Sequence, residues 1–148
     1  MDVSQRRLID ELIRSHNVMT LATVRSDGFP QATTVGYVNE GLTLYVGVGS
    51  DSQKLFNIMF SNKVSLTIDH EDADWGKIQG LSMGATAAVV SDPAEIERIG
   101  ALMSQKFPQL QQMPPPDLDS FVFLRITPHV ISLLDYTKGF GHAELIEV

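Results

Sequence analysis

The 148-residue sequence contains no cysteine, few basic residues and no long apolar run. The missing cysteine excludes disulfide bonds, thiolate metal sites and cysteine nucleophiles, and it fits a reducing compartment. Eleven Lys and Arg against 18 Asp and Glu give a net charge of −7, which repels nucleic-acid phosphates and anionic lipid. No apolar run approaches the roughly 20 residues of a membrane span, and the N terminus has no signal-peptide core. We therefore expect a cytoplasmic protein that binds neither nucleic acid nor membranes.

The composition is otherwise that of an ordinary folded protein. Hydrophobic residues make up 43% and charged residues 20% of the chain, which excludes a disordered polypeptide because enough apolar surface is available for a core. The length fits one domain. We predict a single domain over residues 1–148. It has an amphipathic helix at 4–16 capped by Ser4, a barrel at about 17–134, and a tail at 135–148 with no assigned structure.

Short β-strands dominate the central region. Turn signals such as Asp27-Gly28 and Asn39-Glu40-Gly41 separate segments rich in β-forming residues. The predicted strands span 18–24, 30–38, 42–48, 64–68, 78–90 and 121–134. Gly80 and Gly84 mark points of a bulge or of close backbone approach. Six or more antiparallel strands favour a closed barrel because closure removes sheet edges, so the predicted fold class is mainly β, a β-barrel with flanking helices.

Two more helices are predicted between these strands. The buried side of the first is predicted to be Leu55, Phe56, Ile58 and Met59. The second begins with Asp92 as its cap, has Pro93 in its first turn and Glu95 three residues after the cap, and runs to about Phe107. The proline-rich stretch 113–116 predicts an extended connector, since proline has no amide donor.

The segment Gly47–Lys54, between the third strand and the helix, is the strongest candidate site. Its glycines allow close approach of a ligand, and a helix N terminus offers free amides and partial positive charge for an anion. Ser50 and Ser52 add hydroxyl groups and Lys54 adds a full positive charge. The alternative is an ordinary capping box of Ser50 and Gln53 with Lys54 pointing to solvent.

Other candidate residues have weaker signals. The four histidines, His16, His70, His129 and His142, lack metal-ligand spacing, and the acidic stretch around Asp72 is predicted to be a solvated loop, so no metal site is expected. Trp75 fits a core or interface position better than a ligand contact.

The order and spacing of several segments together resemble one known family. These segments are Met19-Thr20-Leu21-Ala22-Thr23-Val24, Asp27-Gly28-x-Pro30, Leu42-Thr43-Leu44-Tyr45-Val46, Ser52-x-Lys54-x-x-Asn57, Asn62-x-x-Val64, and the strand Ile78-Gln79-Gly80-Leu81-Ser82-Met83-Gly84-Ala85-Thr86-Ala87. The family is the pyridoxamine 5′-phosphate oxidase-like group of flavin-binding split barrels. The resemblance covers residues 17–90 well and the stretch at 125–128 loosely.

The resemblance implies a six-stranded antiparallel Greek-key split barrel and a homodimer that binds two FMN molecules at the subunit interface. Carried over by position, the residues that would hold the phosphate are Ser50, Ser52, Gln53 and Lys54. Those that would line the isoalloxazine ring are Thr33, Thr34, Val35, Val48 and Gly49. Gln79 would contact the cofactor from the partner subunit, and Trp75 is a weaker candidate for the same role.

The C-terminal segment departs from the family pattern. Residues 135–142 lack the Arg- and His-containing segment that grips the substrate in dedicated pyridoxamine phosphate oxidases, so that activity is not expected. The resemblance favours an FMN-dependent oxidoreductase acting on an unknown small molecule, with no catalytic residue identified. The alternatives are a non-catalytic flavin, deazaflavin or haem carrier or sensor, with His129 or His142 as the haem ligand, and a barrel dimer without a cofactor.

Overall fold

The computed structural model describes residues 1–114 and 119–148. Its helices are α1 (Val3–Ser15), α2 (Gln53–Phe60) and α3 (Pro93–Lys106). Its strands are β1 (Val18–Val24), β2 (Pro30–Gly36), β3 (Val38–Glu40), β4 (Thr43–Gly49), β5 (Lys63–His70), β6 (Gln79–Val89), β7 (Phe121–Asp135) and β8 (Ala143–Glu147). Short 3₁₀ turns lie at Trp75–Lys77, Pro108–Gln112 and Tyr136–Lys138. None of the helices in the described ranges combines the length and the apolar character that a membrane span requires.

The strands form one antiparallel sheet with the order β2-β1-β5-β6-β7-β4-β3, and β8 pairs with β7 outside this path. The two edge strands β2 and β3 are separated in the chain only by Tyr37. They therefore act as one bent strand that belongs to both edges, which joins the edges and closes the sheet. Counted this way, and without β8, the path has six strands, whereas the sheet as a whole has eight where six were predicted. The mainly β fold class is confirmed. The eighth strand, β8, comes from the tail.

Alternating residues on each strand point into the barrel, where they form the main core. The strand β1 shows the pattern, with Met19, Leu21 and Thr23 buried and their neighbours partly exposed. Helix α1 packs against this core through Ile9, Leu12 and Ile13. The buried Tyr37 is tied to the same helix, because its hydroxyl donates to the Ile13 carbonyl at 2.5 Å. Burial raises the pKa of the Tyr37 phenol, which keeps it a donor.

Helix α3 packs on the outside of β4 and β7 and forms a second apolar cluster. The cluster contains Val38, Tyr45, Val90, Ile99 and Phe123. Asp92 caps α3 through the Ala94 amide, which confirms the predicted start. Glu95 has another role than the one expected of an acid in the first turn. It is buried and binds Arg125 of β7 and the Tyr45 hydroxyl, which ties α3 to the barrel.

Several local predictions need correction. Asp2 caps α1, because its side chain accepts from the Gln5 amide while the Gln5 side chain accepts from the Asp2 amide. The predicted cap, Ser4, lies inside the helix and its hydroxyl donates to Asp2. In the predicted extended connector, Met113 and Pro114 are exposed and residues 115–116 lie outside the described ranges.

The predicted buried side of α2 is also partly wrong. Ile58 and Asn57 are the buried residues, whereas Phe56 and Met59 are exposed, Met59 by 72%. Apolar periodicity identifies a helix face that avoids water, but it does not say whether the same chain covers that face. The exposed Phe56 and Met59 leave an apolar surface on α2 that no described residue of this chain covers.

The tail folds back onto β7. The N–H of Asp135 donates to the His142 carbonyl at 3.0 Å, which closes a loop before β8. Gly139 and Gly141 have positive φ values of 140° and 79°, which only glycine adopts easily. The pairing of β6 with β7 shifts register between Gly84 and Ala85, so the predicted irregularity at Gly84 is confirmed as a bulge.

Candidate functional site

The turn between β4 and α2 lies at the rim of the barrel and contains most of the predicted phosphate site. The Ser52 amide donates to the Gly49 carbonyl at 3.0 Å, which forms the turn. Ser50 anchors it to the chain just before β7, since its amide donates to the Ser120 carbonyl and its hydroxyl to the Asp119 carbonyl, both at 3.0 Å. The loop is therefore fixed by its own chain.

Ser52 is the cap of α2. Its side-chain oxygen accepts from the Leu55 amide at 3.3 Å, so the alternative capping box of Ser50 and Gln53 does not form. The first amides of any helix lack intrahelical acceptors, and within the described residues those of Gln53 and Lys54 are left free for another acceptor. A hydroxyl has one proton and two lone pairs. The Ser52 hydroxyl can therefore donate to a ligand while it caps, whereas Ser50 already uses its proton.

Lys54 lies beside these amides and is half-buried. Within residues 1–114 and 119–148 it has neither an ion pair nor a hydrogen bond. A cation in the first turn of a helix is unfavourable, because the N terminus of the helix dipole is also positive. The first turn of α2 thus combines a full positive charge with two free amides in the described structure, a combination that suits a phosphate group.

Behind the helix start lies a buried amide network that the sequence analysis missed. Asn57 is 1% exposed, and its Nδ2 donates to Thr23 Oγ1 at 2.9 Å and to Gln31 Oε1 at 3.0 Å. Gln53 Nε2 donates to Asn57 Oδ1 at 2.8 Å. The network joins α2 to β1 and β2 and orients the first turn of the helix. A polar residue within the apolar run of α2 was the available signal.

The residues predicted to line a flavin ring lie on two faces of the barrel wall. Val35 and Val48 point into the core, and Thr33 lies on the same side of its strand. The Thr33 hydroxyl is buried and has no hydrogen-bond partner within the described ranges. Thr34 is exposed on the opposite face. A ligand on the outer side would therefore meet Thr34 and Gly49 directly, but would reach Val35 and Val48 only through their backbone.

Gln79 and Trp75 lie far from this rim. Gln79 pairs with Asp135 at the end of β7, whereas Gly49 pairs with Phe121 at its start. Gln79 and Gly49 therefore lie at opposite ends of the 15-residue strand β7. Trp75 lies at the same distant end, exposed and stacked on Phe140 with ring centroids 6.0 Å apart.

Gln79 also takes part in the anchoring of the tail. Its Nε2 donates to Asp135 Oδ1 at 3.2 Å, and the Thr137 hydroxyl donates to the same oxygen at 2.6 Å. Burial opposes ionisation of Asp135, but these hydrogen bonds outweigh it and lower the pKa of the carboxyl group. The ionised Asp135 thus holds the loop that carries Phe140.

The closed six-stranded barrel, with a cationic helix start on its rim, defines a split-barrel protein. The chain belongs to the pyridoxamine 5′-phosphate oxidase family, because the model of that family matches residues 6–135. No curated protein matches the sequence. The structure is similar to that of a Listeria innocua protein provisionally named a pyridoxamine 5′-phosphate oxidase, with a TM-score of 0.74 and 25% identity over 88% of this chain and 98% of that one.

Two other similar structures carry haem-related names. A heme binding protein from Mycobacterium smegmatis has a TM-score of 0.81 and 17% identity, and the match covers 99% of this chain but 59% of that one. HutZ, a heme storage protein of Vibrio cholerae, has a TM-score of 0.66 and 20% identity over 81% of this chain and 87% of that one. At these identities the likeness shows the shared fold alone.

Proposed function

We propose that this protein binds FMN and is a flavin-dependent oxidoreductase that acts on an unidentified small molecule. The observation that carries the proposal is Lys54, a cation without a partner in the described structure, beside two free amides at the start of α2. In a protein of net charge −7, such a local positive site is best explained by an anion that binds there. Family membership makes the phosphate of FMN the first candidate.

The residues at the rim fit a phosphate in different ways. Lys54 supplies the charge, the Gln53 and Lys54 amides and the Ser52 hydroxyl supply donors, and the Asn57 network holds the helix start in place. Ser50 contributes only after its hydrogen bond to Asp119 is broken. Bound FMN would supply electron transfer, while this chain binds and orients it. No acid or base of this chain is assigned a role in the reaction.

The proposal includes a homodimer with the cofactor at the subunit interface. One supporting observation is that Gln79 lies at the opposite end of β7 from Gly49, so a second chain would supply the Gln79 contact that the family resemblance implies. A second is the exposed apolar surface of α2, where Phe56, Met59 and Phe60 are uncovered. Apolar surface of this kind is typical of interfaces between subunits.

Oxidation of pyridoxamine phosphate is not part of the proposal. The residues around Tyr136–Lys138 that follow β7 contain one cation, Lys138, and its Nζ lies 3.5 Å from Glu144 Oε1. Pyridoxamine phosphate would bring a phosphate group in addition to that of FMN, and this second group would need cations of its own. The loop has no cation that is free in the described structure.

A haem-binding or non-catalytic role is the second candidate, supported by the haem-related names of similar structures. His142 is partly buried, and its Nε2 has no hydrogen-bond partner in the described part of the chain. His129 Nε2 instead lies 2.9 Å from the Thr86 hydroxyl. The His142 Nε2 atom is itself buried and lies 3.7 Å from Glu144 Oε1, so neither histidine presents an accessible, unpaired Nε2 atom in this chain as described. Deazaflavin, which also carries a phosphate, is the remaining alternative cofactor.

The visible absorption spectrum, recorded on the purified protein before and after addition of FMN and desalting, tests the proposal. A retained two-banded flavin spectrum supports it, and a sharp Soret band supports haem. Lys54→Ala is expected to weaken FMN binding by about 1.5–3 kcal/mol, the range for a charged hydrogen bond. Arg7→Ala, which removes an exposed cation of α1, is the control for net charge. Equal affinity of wild type and Lys54→Ala for FMN would remove Lys54 from the site.

A further inference from the structure

A cavity of about 750 Å³ lies between α3 and the outer faces of β4 and β7, and no residue of the predicted site accounts for it. Its floor includes Gly36, which follows Val35 in the chain, and Gly47, which precedes Val48. Val35 and Val48 are both predicted to contact the flavin ring. Its volume falls within the roughly 300–1,000 Å³ typical of sites for small ligands. The cavity is therefore large enough for an organic molecule and borders the region proposed for the cofactor.

The lining of the cavity is apolar and contains no charged side chain in the described structure. Its walls are formed by Met103, Phe107, Leu110, Met113, Phe121 and Phe123. The rings of Phe121 and Phe123 meet edge to face, with centroids 5.3 Å apart and an interplanar angle of 80°. Among the described lining residues, only Ser104 and Gln109 have polar side chains. A charged ligand would lose its hydration here without gaining an opposite charge, which is costly.

Gly100 provides independent support for a cavity that is kept open. It lies in the middle of α3 and lines the cavity, and a Cβ atom built on it would meet nothing within 4 Å among the described residues. Glycine in a helix interior costs about 0.5–1 kcal/mol relative to alanine. Close packing of a neighbour is the usual reason for such a glycine, but that reason is absent here. Its effect in this structure is to leave the space in front of the helix empty.

We propose that this cavity binds a neutral, largely apolar and aromatic small molecule. The further statement that this molecule is the substrate rests on the proposed flavin function, because Gly36 and Gly47 place the cavity beside the proposed ring site. The binding site itself does not depend on that function. The proposed ligand class also differs in charge from pyridoxamine phosphate, a phosphate ester for which the lining offers no cation.

The test uses two probes with one carbon skeleton. N-phenyl-1-naphthylamine is neutral, and 8-anilinonaphthalene-1-sulfonate carries an added negative charge. Fluorescence titration of the full-length protein, with and without FMN, measures the affinity of each. The neutral probe is expected to bind one per chain, and the sulfonate at least about tenfold more weakly, equivalent to 1.4 kcal/mol. Equal affinity of the two probes would overturn the assignment of a neutral ligand.

Two variants of adjacent residues connect binding to the cavity. Gly100→Leu fills the space in front of α3, and its melting temperature should equal or exceed that of the wild type because leucine favours helix. The variant is expected to bind the neutral probe about tenfold more weakly than the wild type, or more weakly still. Ala101→Leu, at the exposed neighbouring position, adds a similar apolar side chain to the surface and should change the affinity less than about twofold.

The outcomes separate the two proposals. Failure of the neutral probe to bind, or equal weakening by both variants, overturns the cavity proposal. If FMN does not bind to the wild type while the neutral probe follows the expected pattern, the flavin function fails and the cavity proposal stands. If FMN binds and the neutral probe does not, the cavity proposal fails and the flavin function stands.

Discussion

Glu95→Gln is the substitution for which the structure makes the most detailed prediction. Glu95 is 7% exposed, accepts from Arg125 Nε at 2.8 Å and from the Tyr45 hydroxyl at 3.0 Å, and also pairs with the second terminal nitrogen of Arg125. Glutamine keeps the size of the side chain but removes its charge, and leaves the Arg125 cation without a counter-ion in this cluster. The substitution therefore tests the charge rather than the packing.

The expected loss in unfolding free energy at pH 7 is about 2–3 kcal/mol. Removal of one partner of a fully buried pair costs about 3–5 kcal/mol, and loss of a charged hydrogen bond about 1.5–3 kcal/mol. The side chain of Arg125 is 37% exposed, so water partly replaces the lost carboxylate and the lower range applies. Chemical denaturation followed by far-ultraviolet circular dichroism measures the difference. Glu97→Gln, at an exposed position of the same helix, should change stability by no more than about 0.5 kcal/mol.

The pH dependence provides a second test of the same pair. The hydrogen bond from Arg125, assisted by that from Tyr45, lowers the pKa of Glu95 from 4.5 to about 2. A carboxyl group whose pKa is lowered by folding stabilises the native state fully above its unfolded value, and this contribution is lost as the pH falls. The unfolding free energy of the wild type should thus decrease between pH 4.5 and 2 as Glu95 is protonated. The Glu95→Gln variant has no carboxyl group at this position and should lack this part of the decrease. Parallel stability curves for the two proteins over this range would refute the reasoning.

Two further predictions concern stability at other positions. Burial lowers the pKa of Lys106 to about 8 from 10.5, and its Nζ has no hydrogen-bond partner in the described structure but lies 3.7 Å from the Tyr37 ring centroid. The unfolded chain then holds a proton that the native state releases, so unfolding free energy should rise between pH 8 and 10.5, and Lys106→Met should abolish this rise in denaturation curves measured across the window. A Cβ at Gly84 would lie 2.9 Å from Val130 Cγ1, so Gly84→Ala should destabilise by about 1–2 kcal/mol. The second substitution Val130→Ala should recover part of that loss in the same denaturation assay, and additive effects of the two substitutions would contradict the proposed clash.

Local patterns in the sequence were sufficient for most of the secondary structure. Asp92 followed by Pro93 predicted the start of α3, and turn residues such as Asp27-Gly28 separated β1 from β2, because these signals act through the backbone within a few residues. The tail was not predicted, because β8 forms only where β7 offers its edge. The cap of α1 was assigned to Ser4 instead of Asp2, since several residues near a helix start can accept the same amides.

The candidate site likewise has one part that the local sequence indicates and another part that depends on contacts between distant segments. The segment Gly49–Lys54 is contiguous, so its glycine, serines and lysine indicated a phosphate site directly from the sequence, and that assignment stays a prediction. Asn57 reaches Thr23 across 34 residues of chain, and no local pattern encodes that contact.

The tertiary structure also decided which apolar residues are covered. Phe56 and Met59 have the periodicity of a buried helix face and yet remain exposed, whereas Gly100 faces an open cavity. The order of residues in the sequence specifies local conformation, because the backbone conformation of each residue depends mainly on residues close to it in the chain. Burial and distance depend on elements far apart in sequence, and only the closed barrel brings those elements together.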